Sequence, residues 1–256
     1  ASFKLRAFDA RGRTVPVPAE VQWSTNLAGS VAGERLTTDP AVRFKVGTVS
    51  VKAGELQAQA RVRVVAPLPW NEDFESIAEG QSPPTWIGAG RKFVVQAKDG
   101  SKVLVQPVRE QGLQRSETYM GPTALTNYTV EVDVRGHLAG RKKPDIGVIN
   151  SGYTLDLMGS HHKLQLRCWA AEMGRLSKDL DFPWEMDTWY RVKFKVQTRG
   201  GKALVQAKVW PLAATEPADW TIQVEDPHPI ERGSPGFIGY APAEIWYDNL
   251  KITGNE

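Results

Sequence analysis

The sequence has 256 residues, a formal net charge of +3 and 41% apolar residues. This composition allows a packed core and excludes wholesale disorder, and the weak, scattered positive charge does not indicate a nucleic-acid partner. One cysteine, Cys168, excludes an internal disulfide, and no apolar run approaches the roughly 20 residues that a membrane-spanning helix needs.

The first 66 residues begin inside a strand-like run, "FKLRAFDA", which predicts that the chain is a fragment of a longer polypeptide. The segments Asp9–Gly12, Val21–Ser24 and Gly47–Val51 read as a glycine turn, a tryptophan-bearing strand and a hairpin. This order resembles bacterial immunoglobulin-like domains. The resemblance implies a spacer or docking domain over residues 1–66 whose first strand is missing.

A domain boundary is predicted after residue 66. The strand-like run "RVRVVA" is followed by Pro67 and Pro69, which interrupt strand pairing. We therefore expect a second domain over residues 67–256.

Alternation of apolar and polar residues dominates the second domain. Residues 128–135 place Tyr128 and three valines on one face and Thr129, Glu131, Asp133 and Arg135 on the other. The stretch "FVVQAKDGSKVLVQ" predicts two strands joined by an Asp-Gly turn. No convincing amphipathic helix is found, so the predicted fold class is all-β.

Three stretches of this domain carry a resemblance to the concanavalin-like jelly roll, a sandwich of two antiparallel sheets. They are "EDFESIAEGQSPPTW", "DTWYRVKFKV" and "GSPGFIGYAPAEIWYDNLKIT". The domain also resembles the C-terminal region of bacterial PQQ-type β-propeller repeat proteins. That resemblance implies further domains in the same polypeptide, but it does not specify an activity, because jelly rolls serve many functions.

An enzymatic site is not supported by the carboxylates of "EVDVRG". Glu131 and Asp133 resemble part of the E-x-D-x-x-E strand of laminarinase-type glycanases, but Gly136 stands where the third acid is needed. The overall pattern is also similar to 3-keto-glycoside hydrolases, for which no catalytic residue can be assigned. The acidic candidates are Glu117, Asp156, Glu172, Asp179 and Asp181.

Carbohydrate binding is the favoured function. Gln165, Arg167 and Trp169 alternate with the apolar residues of "KLQLRCW", Asp156 lies on the non-core side of "YTLDLMG", and Trp184 lies in the loop "DFPWEMD". Sugars are held by aromatic platforms and planar hydrogen-bonding groups. We therefore predict these five residues as ligand-binding, with the two tryptophans exposed. The adjacent His161 and His162 are interpreted as a turn and not as metal ligands.

Asp248 raises a separate question, because strict alternation places it on one face with Trp246, Leu250 and Ile252. A β-bulge, a buried hydrogen-bond network or a structural calcium ion held with Asp73 or Glu75 would each account for it. In each case we expect Asp248 to serve stability rather than activity.

The sequence as a whole predicts a non-catalytic carbohydrate-recognition module in the periplasm or on the outside of the cell. Two alternatives stay open: a glycoside-cleaving enzyme and a structural or protein-interaction module. Two facing carboxylates in a concave groove favour the enzyme, and a flat face without ligand-binding groups favours the structural module.

Overall fold

The computed structural model describes residues 1–109, 114–168 and 175–256. All of the regular elements in these ranges are β-strands, which confirms the all-β prediction. The chain divides into two compact units, residues 1–66 and 67–256. In the described ranges, no helix long and apolar enough to cross a membrane is found.

The first unit contains short antiparallel pairings around a small apolar core. Leu27, Leu36 and Val49 are buried together, and Trp23 packs against them. Strands β3, β6 and β7 form one sheet, β1 pairs with β2, and β4 pairs with β5. The immunoglobulin-like assignment of this unit stays a prediction. Its strands are β1 (Ala7–Phe8), β2 (Thr14–Val15), β3 (Gln22–Thr25), β4 (Gly29–Ala32), β5 (Arg35–Thr38), β6 (Lys45–Ala53) and β7 (Leu56–Val64).

The second unit contains the remaining strands. They are β8 (Trp70–Glu72), β9 (Val94–Lys98), β10 (Ser101–Gln106), β11 (Arg115–Tyr119), β12 (Tyr128–Gly136), β13 (Asp145–Asn150), β14 (Tyr153–Met158), β15 (Lys163–Cys168), β16 (Ser177–Asp181), β17 (Tyr190–Arg199), β18 (Lys202–Pro211), β19 (Ile222–Asp226), β20 (Gly236–Tyr240) and β21 (Ile245–Gly254).

These strands form two antiparallel sheets. The eight-stranded sheet has the order β19-β18-β17-β12-β21-β10-β9, with β8 also pairing with β21, and the six-stranded sheet has the order β11-β20-β13-β14-β15-β16. The predicted hairpin is formed by β9 and β10, and its turn residues Asp99 and Gly100 have φ angles of 51° and 88°. Both positive angles explain the Asp-Gly sequence.

The core lies between the two sheets. Tyr128, Val130, Val132 and Val134 of β12 are all 0% exposed, as their alternation predicts. Across the interface, the ring of Phe237 on β20 stacks on the ring of Tyr247 on β21, with centroids 4.2 Å apart. The predicted sandwich of two antiparallel sheets is therefore confirmed.

Strand β21 contains a β-bulge that changes which side chains face the core. Glu131 pairs with Lys251 and Asp133 pairs with Asp248, so two residues of β21 lie opposite Val132 alone. The bulge includes Asn249, whose φ angle is 50°. Because one residue is added, inward-facing positions change from odd to even numbers along β21.

Candidate ligand-binding cleft

A cleft of about 390 Å³ lies on the outer face of the six-stranded sheet. The strand register explains its composition, since Gly147, Asp156 and Gln165 are direct neighbours on β13, β14 and β15. Alternate residues of these strands face outward, while Leu155, Leu164 and Leu166 face the core with no exposed surface. The side chains that line the cleft include Arg115, Asp145, Asp156, Met158, Gln165, Arg167, Ile238 and Tyr240.

One wall of the cleft carries a network of planar polar groups. Arg167 Nε donates to Asp156 Oδ2 at 2.9 Å, and Arg167 Nη2 lies 2.7 Å from the same oxygen. The neighbouring Gln165 Nε2 donates to Asp179 Oδ1 at 3.0 Å. The side chains of Arg167 and Asp156 each keep 15% of their surface exposed, so the pair is ordered but still accessible from the cleft.

A second carboxylate, Asp145, lies in the same cleft. Its Oδ1 accepts a hydrogen bond from the backbone N–H of Gly159 at 2.9 Å. Burial raises the pKa of Asp145, and burial also raises the pKa of Asp156 although Arg167 favours its charged form. The negative charge of Asp145 contributes to the raised pKa of Asp156, so the two acids are electrostatically coupled.

Apolar surface completes the cleft. Tyr240 is 39% exposed, and the guanidinium of Arg115 lies 6.0 Å from the centre of its ring. The floor includes Gly147, where an added Cβ atom would clash with the side chains of Ile238 and Asp156. The absence of a side chain at Gly147 therefore makes room for Asp156 and Ile238 on this face.

The structure brings together three of the five residues predicted to bind ligand. Asp156, Gln165 and Arg167 line one cleft, and their outward orientation agrees with the alternation of β14 and β15. Trp169, like the acidic candidate Glu172, lies outside the described residues. Whether the three residues bind a ligand remains a prediction.

Trp184 is a correction, because it is 2% exposed rather than open to solvent. Its ring packs edge-on against Tyr190 at 6.1 Å, and its Nε1 donates to the carbonyl of Met158 at 3.3 Å. A Cβ atom at Gly136 would lie 3.0 Å from the Trp184 ring. Gly136 therefore provides space for a structural tryptophan, and Trp184 does not reach the cleft.

The cleft residues that were not predicted include Arg115, Asp145 and Tyr240. Arg115 and Tyr240 are paired neighbours on β11 and β20, and Tyr240 is also paired with Asp145 on β13. The alternation in "RSETY" and "GFIGY" could have placed Arg115 and Tyr240 on outward faces. Their convergence, however, depends on pairing between segments more than 90 residues apart.

The sequence assigned Asp248 to the wrong face. It lies with Trp246 on the outer face of the eight-stranded sheet, whereas Leu250 and Ile252 face the core because of the bulge. The predicted β-bulge is therefore the explanation that the register supports. Burial raises the pKa of Asp248 to about 6, and the nearby acids Asp133, Glu75 and Asp73 contribute in the same direction.

Two of the acids proposed for calcium accept hydrogen bonds from neighbouring residues. Glu75 accepts hydrogen bonds from Ser101 and from the backbone of Lys102, and Asp73 accepts one from the backbone of Glu75. In the three described ranges, no group of three His, Cys, Asp or Glu side chains is arranged to hold a metal ion. The calcium site at Asp73, Glu75 and Asp248 stays a prediction without support from this arrangement.

The partial glycanase motif lies away from the cleft, on the eight-stranded sheet. Asp133 is 1% exposed and accepts two hydrogen bonds from Arg191, at 2.7 and 2.8 Å. Glu131 lies on the same outer face, opposite Lys251 and Lys193. His161 and His162 lie in the turn between β14 and β15, as predicted.

No family model matches the sequence, and no curated protein matches it. Solved structures match at low identity. The carbohydrate-binding module CBM66 from Bacillus subtilis is 11% identical, with a TM-score of 0.46 over 66% of this chain and 95% of that one. Lectin II from Ulex europaeus is 12% identical, with a TM-score of 0.45 over 74% and 99% of the two chains. The lectin-like defence protein arcelin-5 from Phaseolus vulgaris is 7% identical, with a TM-score of 0.45 over 72% and 96%.

Proposed function

We propose that the cleft on the six-stranded sheet binds carbohydrate and that this binding is non-catalytic. The observation that carries the proposal is the Arg167–Asp156 pair, which presents a planar charged network to the cleft beside Gln165. On the opposite side, Tyr240 offers a partly exposed ring. A hydroxyl-rich ligand with apolar C–H faces matches both surfaces.

The size of the cleft is consistent with a ligand of one or two sugar units. Its volume of about 390 Å³ lies within the range of small-molecule sites. Arg167 offers donors, Asp156 offers acceptor positions that Arg167 does not use, and Gln165 offers both. Fixing these groups before the ligand arrives lowers the entropy lost on binding.

The proposal includes the cellular setting predicted from the sequence. The module acts in the periplasm, on the cell surface or outside the cell, as one part of a longer polypeptide that includes further domains. The immunoglobulin-like unit over residues 1–66 serves as its spacer, and a PQQ-type propeller belongs to the same polypeptide.

A glycan array probed with the 256-residue protein tests the binding function. We expect binding to one class of glycan, reduced at least tenfold by Gln165→Ala and by Tyr240→Ala. Gln223→Ala is the matched control, since Gln223 is an exposed glutamine on the edge strand β19 of the other sheet. Failure to bind any glycan, or equal loss in the control, contradicts the proposal.

Glycosidic bond cleavage is a second candidate function, favoured by one observation. Asp145 and Asp156 share the cleft, and burial raises the pKa of each carboxyl. Glycosidases need one protonated and one ionised carboxyl group at the scissile bond. The ion pair with Arg167 favours a non-catalytic role for Asp156, which is why binding is the first proposal.

Incubation of the protein with the glycans that it binds separates the two functions. Cleavage products that disappear in Asp145→Asn, with binding retained, establish the enzyme. Binding of the same glycans without any product after prolonged incubation establishes the recognition module.

A further inference from the structure

A recess of about 170 Å³ lies on the outer face of the eight-stranded sheet, away from the cleft. We call it the Trp189 recess. Its lining includes Lys98, Asp99, Asp133, Trp189, Trp246 and Asp248. All of these positions belong to the second unit and to the described ranges.

Two tryptophans form the aromatic wall of the Trp189 recess. The rings of Trp189 and Trp246 lie 6.3 Å apart with an interplanar angle of 51°. Trp246 already has cationic neighbours, because Lys98 Nζ and the Arg135 guanidinium lie 5.1 and 5.0 Å from its centre. Trp189 has no such cation among the residues that the structure describes, so its ring remains available to one.

The charged groups of the recess are paired, with one exception. Asp99 accepts a hydrogen bond from Arg135 at 2.8 Å, and Lys98 forms an ion pair with Glu244 at 3.1 Å. Asp133 is bound by Arg191. Asp248 accepts a hydrogen bond from the backbone of Asn249 at 2.7 Å, and no lysine or arginine in the described part of the chain lies within ion-pair distance of it.

The surroundings of Asp248 make it a receptor for positive charge. Asp133 is its direct neighbour across the strand pair, and the carboxylates of Asp73 and Glu75 are close enough to affect it. A partly buried carboxylate among like charges is stabilised by a cation more than an exposed one is. The bulge at Asn249 is what directs Asp248 to this face instead of to the core.

We propose that the Trp189 recess binds the protonated amino group of a small organic amine, with Asp248 as its acceptor and Trp189 as its aromatic wall. An ammonium group requires one carboxylate and benefits from an indole ring. A divalent metal ion requires several oxygen ligands at once, and the described acids are not arranged to supply them. The recess is close in volume to cavities of about 150 Å³ that accept a benzene-sized molecule, so it admits an amine of five or six heavy atoms.

Titration of ¹⁵N-tryptophan-labelled protein with n-butylammonium chloride tests this site. The nine tryptophans give nine indole N–H signals, and the Trp189 signal is assigned from its loss in Trp189→Phe. At pH 7.5, where Asp248 with a pKa of about 6 is ionised, we expect saturable shifts of the Trp189 and Trp246 signals. The neutral analogue n-butanol, at equal concentration and ionic strength, is expected to bind at least tenfold more weakly.

Two variants separate charge recognition from a general effect on the recess. Asp248→Asn is expected to weaken butylammonium binding at least tenfold, while Asp181→Asn, which removes an exposed acid on β16 of the other sheet, is expected to change it less than twofold. Melting curves of both variants check that each one is folded. Equal binding of n-butanol, unchanged binding by Asp248→Asn, or no shift of either tryptophan signal overturns the proposal. Binding of glucosamine with the same dependence on Asp248 supports it and extends the ligand class to amino sugars.

Discussion

Arg167 and Asp156, on neighbouring strands, are joined through a single carboxylate oxygen that lies 2.9 Å from Nε and 2.7 Å from Nη2 of the guanidinium. This geometry depends on the planar fork of arginine, which lysine lacks. We expect Arg167→Lys to lower glycan affinity about tenfold or more, because it keeps the charge but loses the fixed donor arrangement. Isothermal titration with a glycan identified on the array measures the change.

Arg167→Ala serves as the comparison, since it leaves the carboxylate of Asp156 without its cation. We expect a loss of about 1–3 kcal/mol in the free energy of unfolding in addition to the loss of binding. If Arg167→Lys is as unstable as Arg167→Ala, then the pair serves the fold and not the ligand.

Asp248→Asn is expected to raise the melting temperature at neutral pH. Burial and neighbouring acids raise the pKa of Asp248 from 3.8 to about 6, so the folded state prefers the protonated form. The stabilising contribution of the protonated Asp248 carboxyl is therefore present below about pH 3.8, and it is lost as the pH rises through about 6. After a discount for solvent screening the effect is about 1 kcal/mol, which corresponds to about 2–4 °C.

Melting curves at pH 4 and pH 7.5 check this expectation. Wild type and Asp248→Asn are expected to coincide at pH 4, with the variant melting higher at pH 7.5. A variant that melts lower at pH 7.5 indicates that the charged form is held by a stabilising partner, as the sequence alone suggested.

Asn249 is expected to be important for the backbone of the bulge. Its φ angle of 50° is strained for most side chains, and its Nδ2 donates to Asp133 Oδ2 at 2.9 Å. We expect Asn249→Ala to cost about 1–2 kcal/mol, because alanine tolerates this conformation poorly. Asn249→Gly, which also removes the hydrogen bond but accepts a positive φ, is expected to cost less. Urea unfolding of the two variants measures the difference, and equal losses would assign the cost to the hydrogen bond alone.

Asp226 is expected to control stability in acid. Its side chain is 0% exposed and accepts hydrogen bonds from Tyr153 Oη, Arg175 and the backbone of His228. Burial opposes its charged form, but these hydrogen bonds outweigh burial and lower its pKa. The ionised carboxylate of Asp226 therefore stabilises the fold above its ordinary pKa of 3.8. This stabilisation is lost as the pH falls through the lower pKa of Asp226 in the folded state.

Asp226→Asn is expected to cost about 3 kcal/mol at pH 7, the low end for a buried pair because Arg175 is partly exposed. The cost should shrink as the pH falls toward 2. Tyr153→Phe removes the hydrogen bond to Asp226 and the one that Oη accepts from the backbone N–H of Ile230, and it leaves the charge pair. It is expected to cost about 2 kcal/mol. Denaturant midpoints across the pH range test both statements, and a cost for Asp226→Asn that does not change with pH would contradict them.

Local alternation was sufficient to predict much of the fold and part of the cleft. The outward orientation of Gln165 and Arg167 follows from the two-residue alternation of side chains in β15. The outward orientation of Asp156 follows from the same alternation in β14. Each of these strands is regular, so the position of one side chain determines the orientation of the next. The same rule identified the buried face of β12.

The errors arose where long-range contacts or a backbone irregularity decide the outcome. Trp184 is buried because Gly136 leaves space for its ring, and nothing near Trp184 in the sequence indicates that contact. Asp248 and Leu250 lie on opposite faces because the bulge at Asn249 interrupts the alternation between them. Arg115 and Tyr240 meet through the pairing of β11 with β20, which a local pattern does not specify.

The position of β21 has a consequence for the order in which the molecule can acquire its structure. This strand pairs with β12 along one edge, and with β10 and then β8 along the other. A ribosome releases residues 245–254 after all of these partners, so the middle of the eight-stranded sheet cannot close until β21 itself has been synthesised. Until then, β8, β10 and β12 each expose an unpaired edge that favours misassembly, and completion of the second unit therefore waits for β21 and depends on distant contacts.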